Sequence, residues 1–421
     1  MSGPDATESL CKRIAMEAFG AKGALRMMSG AQRTELLHAM ARGLRSASTA
    51  IVQANQRDLE AGAGLGSAML DRLRLDATRI EAMARAVDAI ALQPDPVGVV
   101  EDGRTLPNGI RLEKRRTPIG VVLVIYESRP NVTSDAAALC LKAGNAVVLR
   151  GGKEAAHSNR AIIDAMRPAL AKAGVEGAVG FVDTPDRRAI DLLVTMEKVI
   201  DLAIPRGGPS LMQAVTAAAR IPVVKHDAGN CHVYIDRALD GLDEQALAIV
   251  VNAKAQRPGV CNAAETLLVH ESQAARLLPR IGKALQEAGV EVRADARARP
   301  LMPGATEASE ADWATEYLDL ILAVRVVDSL DEACAHIRTY GSQHTEAIVT
   351  SSIEAAERFV ALLDSANVMI NCSTRFADGA EYGLGAEIGI STDKLHARGP
   401  MGAQDLTTYQ WVLTGSGQIR G

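Results

Sequence analysis

The chain has 421 residues, enough for two or three domains of ordinary size. Its 48% hydrophobic and 23% charged content excludes global disorder, because there is a core to bury. A net charge of −5 and 3% aromatic content exclude a basic or stacking nucleic-acid surface, and no apolar run nears the roughly 20 residues of a membrane helix or forms a signal core. A cytoplasmic protein with no membrane or nucleic-acid partner is expected.

The first hundred residues read as helices. In 76–92, Ile80, Met83, Ala84, Val87 and Ile90 keep helical spacing, with Asp76 or Thr78 as the N-cap and Pro94 and Pro96 beyond the end. The polar stretch 105–116 contains Pro107-Asn108-Gly109, a hairpin signal. After Pro118, short apolar runs (119–125, 146–149, 179–182, 199–204, 223–224) alternate with helical stretches (133–143, 158–173, 185–195, 210–219). A second set of runs follows at 265–269, 320–327, 347–349 and 368–370, separated by helical stretches 272–288, 330–340 and 353–361. Continuous apolar strands between helices predict parallel sheets covered on both faces, hence two doubly wound α/β domains. The tail ends in a strand-like 406–413.

Common signatures are missing. There is no GxGxxG after a strand, no GxxxxGK[ST], no HExxH, no paired CxxC and no GxSxG. No metal site is therefore expected. The six cysteines, Cys11, Cys140, Cys231, Cys261, Cys334 and Cys372, are scattered and read as small buried hydrophobes by default. Cys261 differs in its setting, Gln256-Arg257-Pro258-Gly259-Val260-Cys261, a Pro-Gly turn between a helix and a strand. Arg257 nearby would favour its thiolate, and a turn N–H could face a reacting oxygen. The alternative is a buried turn cysteine.

The segment NAKAQRPGVCNAAETLLVH (252–270) resembles the nucleophile segment of the gamma-glutamyl phosphate reductases, a branch of the aldehyde dehydrogenase superfamily. The likeness extends in order through 124–155, 204–208, 223–236, 336–348, 371–392 and 394–402, and so covers nearly the whole chain. It implies an aldehyde dehydrogenase-like α/β fold: a cofactor-binding domain (1–104 and 118–232), a catalytic domain (233–398) and a β oligomerisation element (105–117 and 399–421).

The resemblance also implies roles. Cys261 becomes the nucleophile, a soft thiol able to form and release a thioester. Asn131 becomes an oxyanion-hole donor, beside the Cys261 backbone N–H; its alternative is the N-cap of the helix that follows. Arg150 and Lys153 would touch the adenosine ribose and suit the 2′-phosphate of NADP(H), or else be solvated charge. Arg206, Gly207 and Gly208 match the pyrophosphate-side loop, or else a turn and helix cap. Glu316 would hold the nicotinamide ribose, or else is a surface acid. Arg129, Arg257, Ser342, His344 and Arg375, with Thr345, His396 and Arg398, are the polar candidates for the substrate's carboxylate, ammonium and phosphate groups. One departure is informative. Where hydrolytic relatives carry a glutamate base, this chain reads His226-Asp227-Ala228-Gly229. An acyl-phosphate enzyme needs no base to activate water, although His226 or Asp227 could act as one. The implied activity is NADPH-dependent reduction of L-glutamyl 5-phosphate to L-glutamate 5-semialdehyde in proline biosynthesis. A homodimer or tetramer and functional coupling to glutamate 5-kinase are expected.

Overall fold

The computed structural model describes residues 4–225 and 228–420, which divide into two compact units. The first takes in the chain up to Lys225 with Gly383–Gly389 and the stretch from Met401 onward; the second takes in the chain after Lys225 to Tyr382 with Ile390–Pro400. The division thus falls before residue 228, earlier than the expected 232, because a strand of the larger sheet already begins at Cys231.

The first unit opens with helices α1 (Pro4–Met27), α2 (Gly30–Ser46), α3 (Ser48–Ala61), α4 (Ser67–Leu73) and α5 (Ala77–Leu92). Asp76 caps α5 by accepting from the Arg79 N–H, and the helix buries Ile80, Met83, Ala84, Val87 and Ile90. Strands β1 (Val100–Thr105) and β2 (Arg111–Pro118) form the expected hairpin, turning at Gly109 with φ +83°. The tail strand Thr407–Thr414 pairs antiparallel with β2 as the third strand. Next come β3 (Val121–Tyr126), α6 (Asn131–Lys142), β4 (Ala146–Gly151), α7 (Ala156–Lys172), β5 (Val179–Phe181), α8 (Arg188–Val194), β6 (Leu202–Arg206) and α9 (Pro209–Ala218). The sheet is parallel in the order β5-β4-β3-β6. All six residues of β3 are buried, as a strand covered on both faces requires. The run 223–224 forms only an isolated bridge, Val223 to Ala203.

The second unit contains β7 (Cys231–Ile235), α10 (Asp243–Ala255), β8 (Ala264–His270), α11 (Glu271–Glu287), β9 (Glu291–Ala294), β10 (Thr306–Glu307), β11 (Ile321–Val327), α12 (Leu330–Tyr340), β12 (Thr345–Val349), α13 (Ile353–Leu362) and β13 (Asn367–Ile370). Its seven strands run parallel in the order β10-β9-β11-β8-β7-β12-β13. Val233, Leu267, Val324 and Val349 on the strands pack with Leu277, Ile281 and Leu285 of α11. Among the described residues, no helix is long and apolar enough to cross a membrane.

Candidate active site

Cys261 lies in the turn between α10 and β8 and is half-buried, as is Cys372; the other four cysteines are buried. Burial pushes the Cys11 and Cys334 thiols up to about 11, and also raises Cys140, Cys231 and Cys372. Those five are poor thiolates.

The backbone around Cys261 is held tightly. Gly229 approaches so closely that a Cβ there would stand 1.8 Å from the Cys261 carbonyl oxygen and 2.5 Å from its Cα. The Cys231 thiol donates to the same carbonyl at 3.1 Å. Asn262 donates from Nδ2 to the Ala377 carbonyl at 2.8 Å. The loop is flanked by Lys254, near the end of α10, and Glu265 on β8. These two form a 2.5 Å ion pair with neither side chain exposed. Burial lowers the Lys254 ammonium and raises the Glu265 carboxyl, and in each case the partner's charge opposes the shift. The second Glu265 oxygen accepts the Leu318 N–H at 3.3 Å, where the chain turns at φ +54°. Two residues earlier, Glu316 Oε1 accepts the Gly229 N–H at 2.8 Å. The buried pair, Glu316 and Gly229 therefore form one brace behind the cysteine.

The substrate candidates separate into two groups. Arg375 is half-buried, with Nε donating to Gln256 Oε1 at 2.8 Å. Burial lowers its guanidinium, and it lies within electrostatic reach of Asp378, Arg257, Cys261 and Cys231. Arg257 is exposed on the loop and Arg129 is half-buried before α6. Ser342 accepts the Asn230 N–H at 2.9 Å. His344 is buried, 2.8 Å from Thr345 Oγ1 and 3.7 Å from the Cys231 thiol. Ser342, His344 and Thr345 thus support the loops behind Cys261. Arg398 pairs with Asp364 at 2.8 Å, and His396 is exposed with φ +74°. His226 and Asp227 lie outside the described residues.

In the first unit, the candidates gather at the carboxyl ends of β3, β4 and β6. Strand order reverses between β3 and β6, the switch point where open parallel sheets hold ligands. Asn131 is the first residue of α6; Pro130 takes the cap position, and Asn131 Nδ2 donates to Asp135 Oδ2 at 2.9 Å. Asn131 is therefore not the N-cap. Arg150 is buried at the end of β4, and its Nε has no hydrogen-bond partner. Lys153 is exposed. Glu154 accepts the Ser128 N–H and hydroxyl at 2.7 and 2.9 Å. Glu127 Oε2 accepts the N–H of Gly208, the N-cap of α9, at 3.0 Å, and a Cβ on Gly207 would meet the same oxygen at 2.5 Å. Arg206 turns to Glu387, reaching its carbonyl at 3.4 Å. A buried guanidinium with an unpaired N–H at the carboxyl end of a parallel sheet suits an anionic nucleotide. Sequence reasoning missed Glu127, Glu154, Asp135, Gly229, Lys254 and Glu265. Only Asp135 carried a local signal, its i+4 spacing from Asn131. Among the described residues, no His, Cys, Asp and Glu cluster could hold a metal ion.

Residues 1–320 match the model of the aldehyde dehydrogenase family. The chain belongs to that family. It is 52% identical over 406 residues to a gamma-glutamyl phosphate reductase of Moorella thermoacetica, covering 95% of this chain and 97% of that one. It is 53% identical over 412 residues to one from Thermobifida fusca, covering 97% and 98%. The solved gamma-glutamyl phosphate reductase of Thermotoga maritima superposes with a TM-score of 0.94 at 41% identity, over 98% of this chain and all of the other. The expected fold class and family are borne out. The chain is an oxidoreductase of this family, whose enzymes use nicotinamide cofactors.

Proposed function

We propose that this chain reduces L-glutamyl 5-phosphate to L-glutamate 5-semialdehyde and phosphate with NADPH, through a thioester on Cys261, in the proline biosynthesis of the cytoplasm. The observation that carries the reading is Cys261 itself: a half-buried thiol in a braced turn with the Arg375 guanidinium in electrostatic reach. Full-length similarity to gamma-glutamyl phosphate reductases supports the substrate.

The Cys261 thiolate attacks the γ-carbonyl, and the acyl C–O bond breaks as phosphate leaves with the electron pair. Its own backbone N–H and the Asn131 amide stabilise the oxyanion. Arg375 faces the phosphate, and Arg257 and Arg129 are the further cations for the substrate's anionic groups. Arg150 and Lys153 would hold the ribose phosphate end of the cofactor, Arg206, Gly207 and Gly208 would flank its pyrophosphate, and Glu316, one oxygen of which accepts the Gly229 N–H, would offer the other to its second ribose. The unpaired, buried Nε of Arg150 supports that fit. Bound NADPH supplies the hydride. Cys261 then leaves as thiolate when the thiohemiacetal collapses to the aldehyde.

The three-stranded sheet exposes Tyr409, Trp411 and Leu413, which supports self-association as a dimer or tetramer. Because an acyl phosphate is readily lost to water, coupling to glutamate 5-kinase is part of the same reading. The reverse assay tests the function: semialdehyde, NADP+ and phosphate should yield NADPH. Cys261→Ala should abolish it. Phosphate-independent turnover, or full activity in that variant, overturns the proposal.

A further inference from the structure

We propose that Asp135 is a positioning residue that fixes which end of the Asn131 amide faces the reacting oxygen. The inference rests on the oxyanion role given to Asn131 above.

An asparagine side chain offers two ends of nearly equal shape and opposite polarity. An oxyanion hole works only with the NH2 end; the carbonyl end would face the developing negative charge and repel it. Something must therefore choose between two positions related by a half-turn of the amide. Asn131 is at the start of α6, so its amide has only the neighbouring turn to hold it. Side chains on a helix lean toward its N-terminus, and those one turn apart meet. Asp135 is one turn on, and its Oδ2 lies 2.9 Å from Asn131 Nδ2.

An ionised carboxylate is an acceptor only. It can bind the NH2 end and must reject the carbonyl end. One N–H of the amide is spent on Asp135, and the other is left for the substrate oxygen. Burial pushes the Asp135 carboxyl up to about 6, while its bond from Asn131 and the Arg206 guanidinium oppose that rise, so it is ionised at neutral pH. Arg206, at the end of β6, lies within electrostatic reach of Asp135 and 4.0 Å from the Glu387 carboxylate. This gives Arg206 a role in holding Asp135 charged, in addition to its place before Gly207.

The test is a double-mutant cycle on the full chain in the phosphate-dependent reverse assay. Asp135→Ala removes the acceptor; Asp135→Asn keeps the volume but lets either end of each amide pair. Removal of one oxyanion donor costs about 10²–10³-fold in kcat, and loss of its orientation should cost about tenfold or more. KM for semialdehyde and the NADPH dissociation constant, read by cofactor fluorescence, should stay within about twofold, because neither reports on the oxyanion. On an Asn131→Ala background, Asp135→Asn should have no further effect on kcat. If Asn131→Ala alone keeps wild-type kcat, the oxyanion reading fails and takes this inference with it. If Asn131→Ala is crippled while both Asp135 variants remain at wild-type kcat, this inference alone is overturned. It is also overturned if Asp135→Asn lowers kcat equally in both backgrounds, since Asp135 would then act through the fold. Should Asp135→Ala melt early by circular dichroism, the isosteric Asp135→Asn carries the result.

Discussion

Gly229→Ala should disable Cys261 without touching its thiol. The added Cβ would fall 1.8 Å from the Cys261 carbonyl oxygen and 2.5 Å from its Cα, where real contacts begin near 3.0 Å. Moving from 1.8 to 3.0 Å requires the two backbones to part by about 1.2 Å. Both partners are main chain, so no rotamer change relieves the clash. Parting them strains the Gly229 N–H bond to Glu316 and the Cys231 bond to the Cys261 carbonyl. Misplacement of a reacting group by about 1 Å costs about 10²-fold in rate, and overpacking costs about 1–3 kcal/mol of stability. The variant should therefore fold with a lowered melting temperature and turn over at about one per cent of the wild-type rate or less. Its Cys261 should alkylate with iodoacetamide at an altered rate. The reasoning is refuted if Gly229→Ala alkylates like the wild type and keeps kcat within about threefold of it.

Three further outcomes follow from other side chains of the second unit. Lys254→Met strands a buried Glu265 and should cost about 3–5 kcal/mol. A carboxyl raised in the folded state loses stability as pH climbs past its unfolded value of 4.5, so melts at pH 5 and pH 8 should diverge further in the variant than in the wild type; a pH-independent deficit refutes this. Asp312, buried at the N-terminal side of β11, accepts from Arg293, Ser309 and Tyr317. Burial opposes its ionisation, but those bonds outweigh it and hold the carboxyl well below its usual range. Asp312→Asn should lose about 1–3 kcal/mol near neutrality. That gap should close only as pH falls below the unfolded value of 3.8, and an unchanged gap at low pH refutes the assignment. Arg375→Ala should raise the KM for phosphate in the reverse assay about tenfold or more, and Arg375→Lys should recover only part of it; an unchanged phosphate KM removes Arg375 from that role.

What the sequence revealed follows physical lines. β3 is legible because six apolar residues in a row suit only a strand covered on both faces. Helix α5 is legible because its cap and its buried stripe are both local. β7 is not among the runs read from the sequence: its five residues include His232, whose N–H and Nδ1 are both satisfied laterally by Glu346 on the neighbouring strand. The run 223–224 looked like a strand and is only a bridge to Ala203, since apolar content alone cannot say whether a neighbour is present. At the candidate site, the turn setting of Cys261 was legible from Pro258-Gly259 between α10 and β8. Its supports were not. Gly229 matters through a contact distant in sequence, and Lys254 and Glu265 meet only because the loop folds back.

The two sheets also treat their ligand edges differently, and this bears on how the thiolate is stabilised. In the first unit the candidates follow β3, β4 and β6, at the carboxyl edge where helix N-termini favour anions. In the second unit Gly229, Cys261, Glu316 and Ser342 instead precede β7, β8, β11 and β12. That is the amino edge, where helices end and present carbonyl oxygens. α10 stops at Ala255, shortly before Cys261, so its dipole disfavours a thiolate there. The proposed thiolate would need a compensating positive charge, and Arg375 is the half-buried cation within electrostatic reach. Its guanidinium is tied to Gln256, just past the end of α10, where a cation opposes the dipole and also reaches Cys261. On the proposed nucleophile role, activation of the cysteine would then rest on a side chain from a distant segment, not on the helix that leads into it. For that reason Arg375→Ala should raise the pH at which Cys261 becomes reactive to iodoacetamide, and an unshifted profile would return the activating role to the loop backbone.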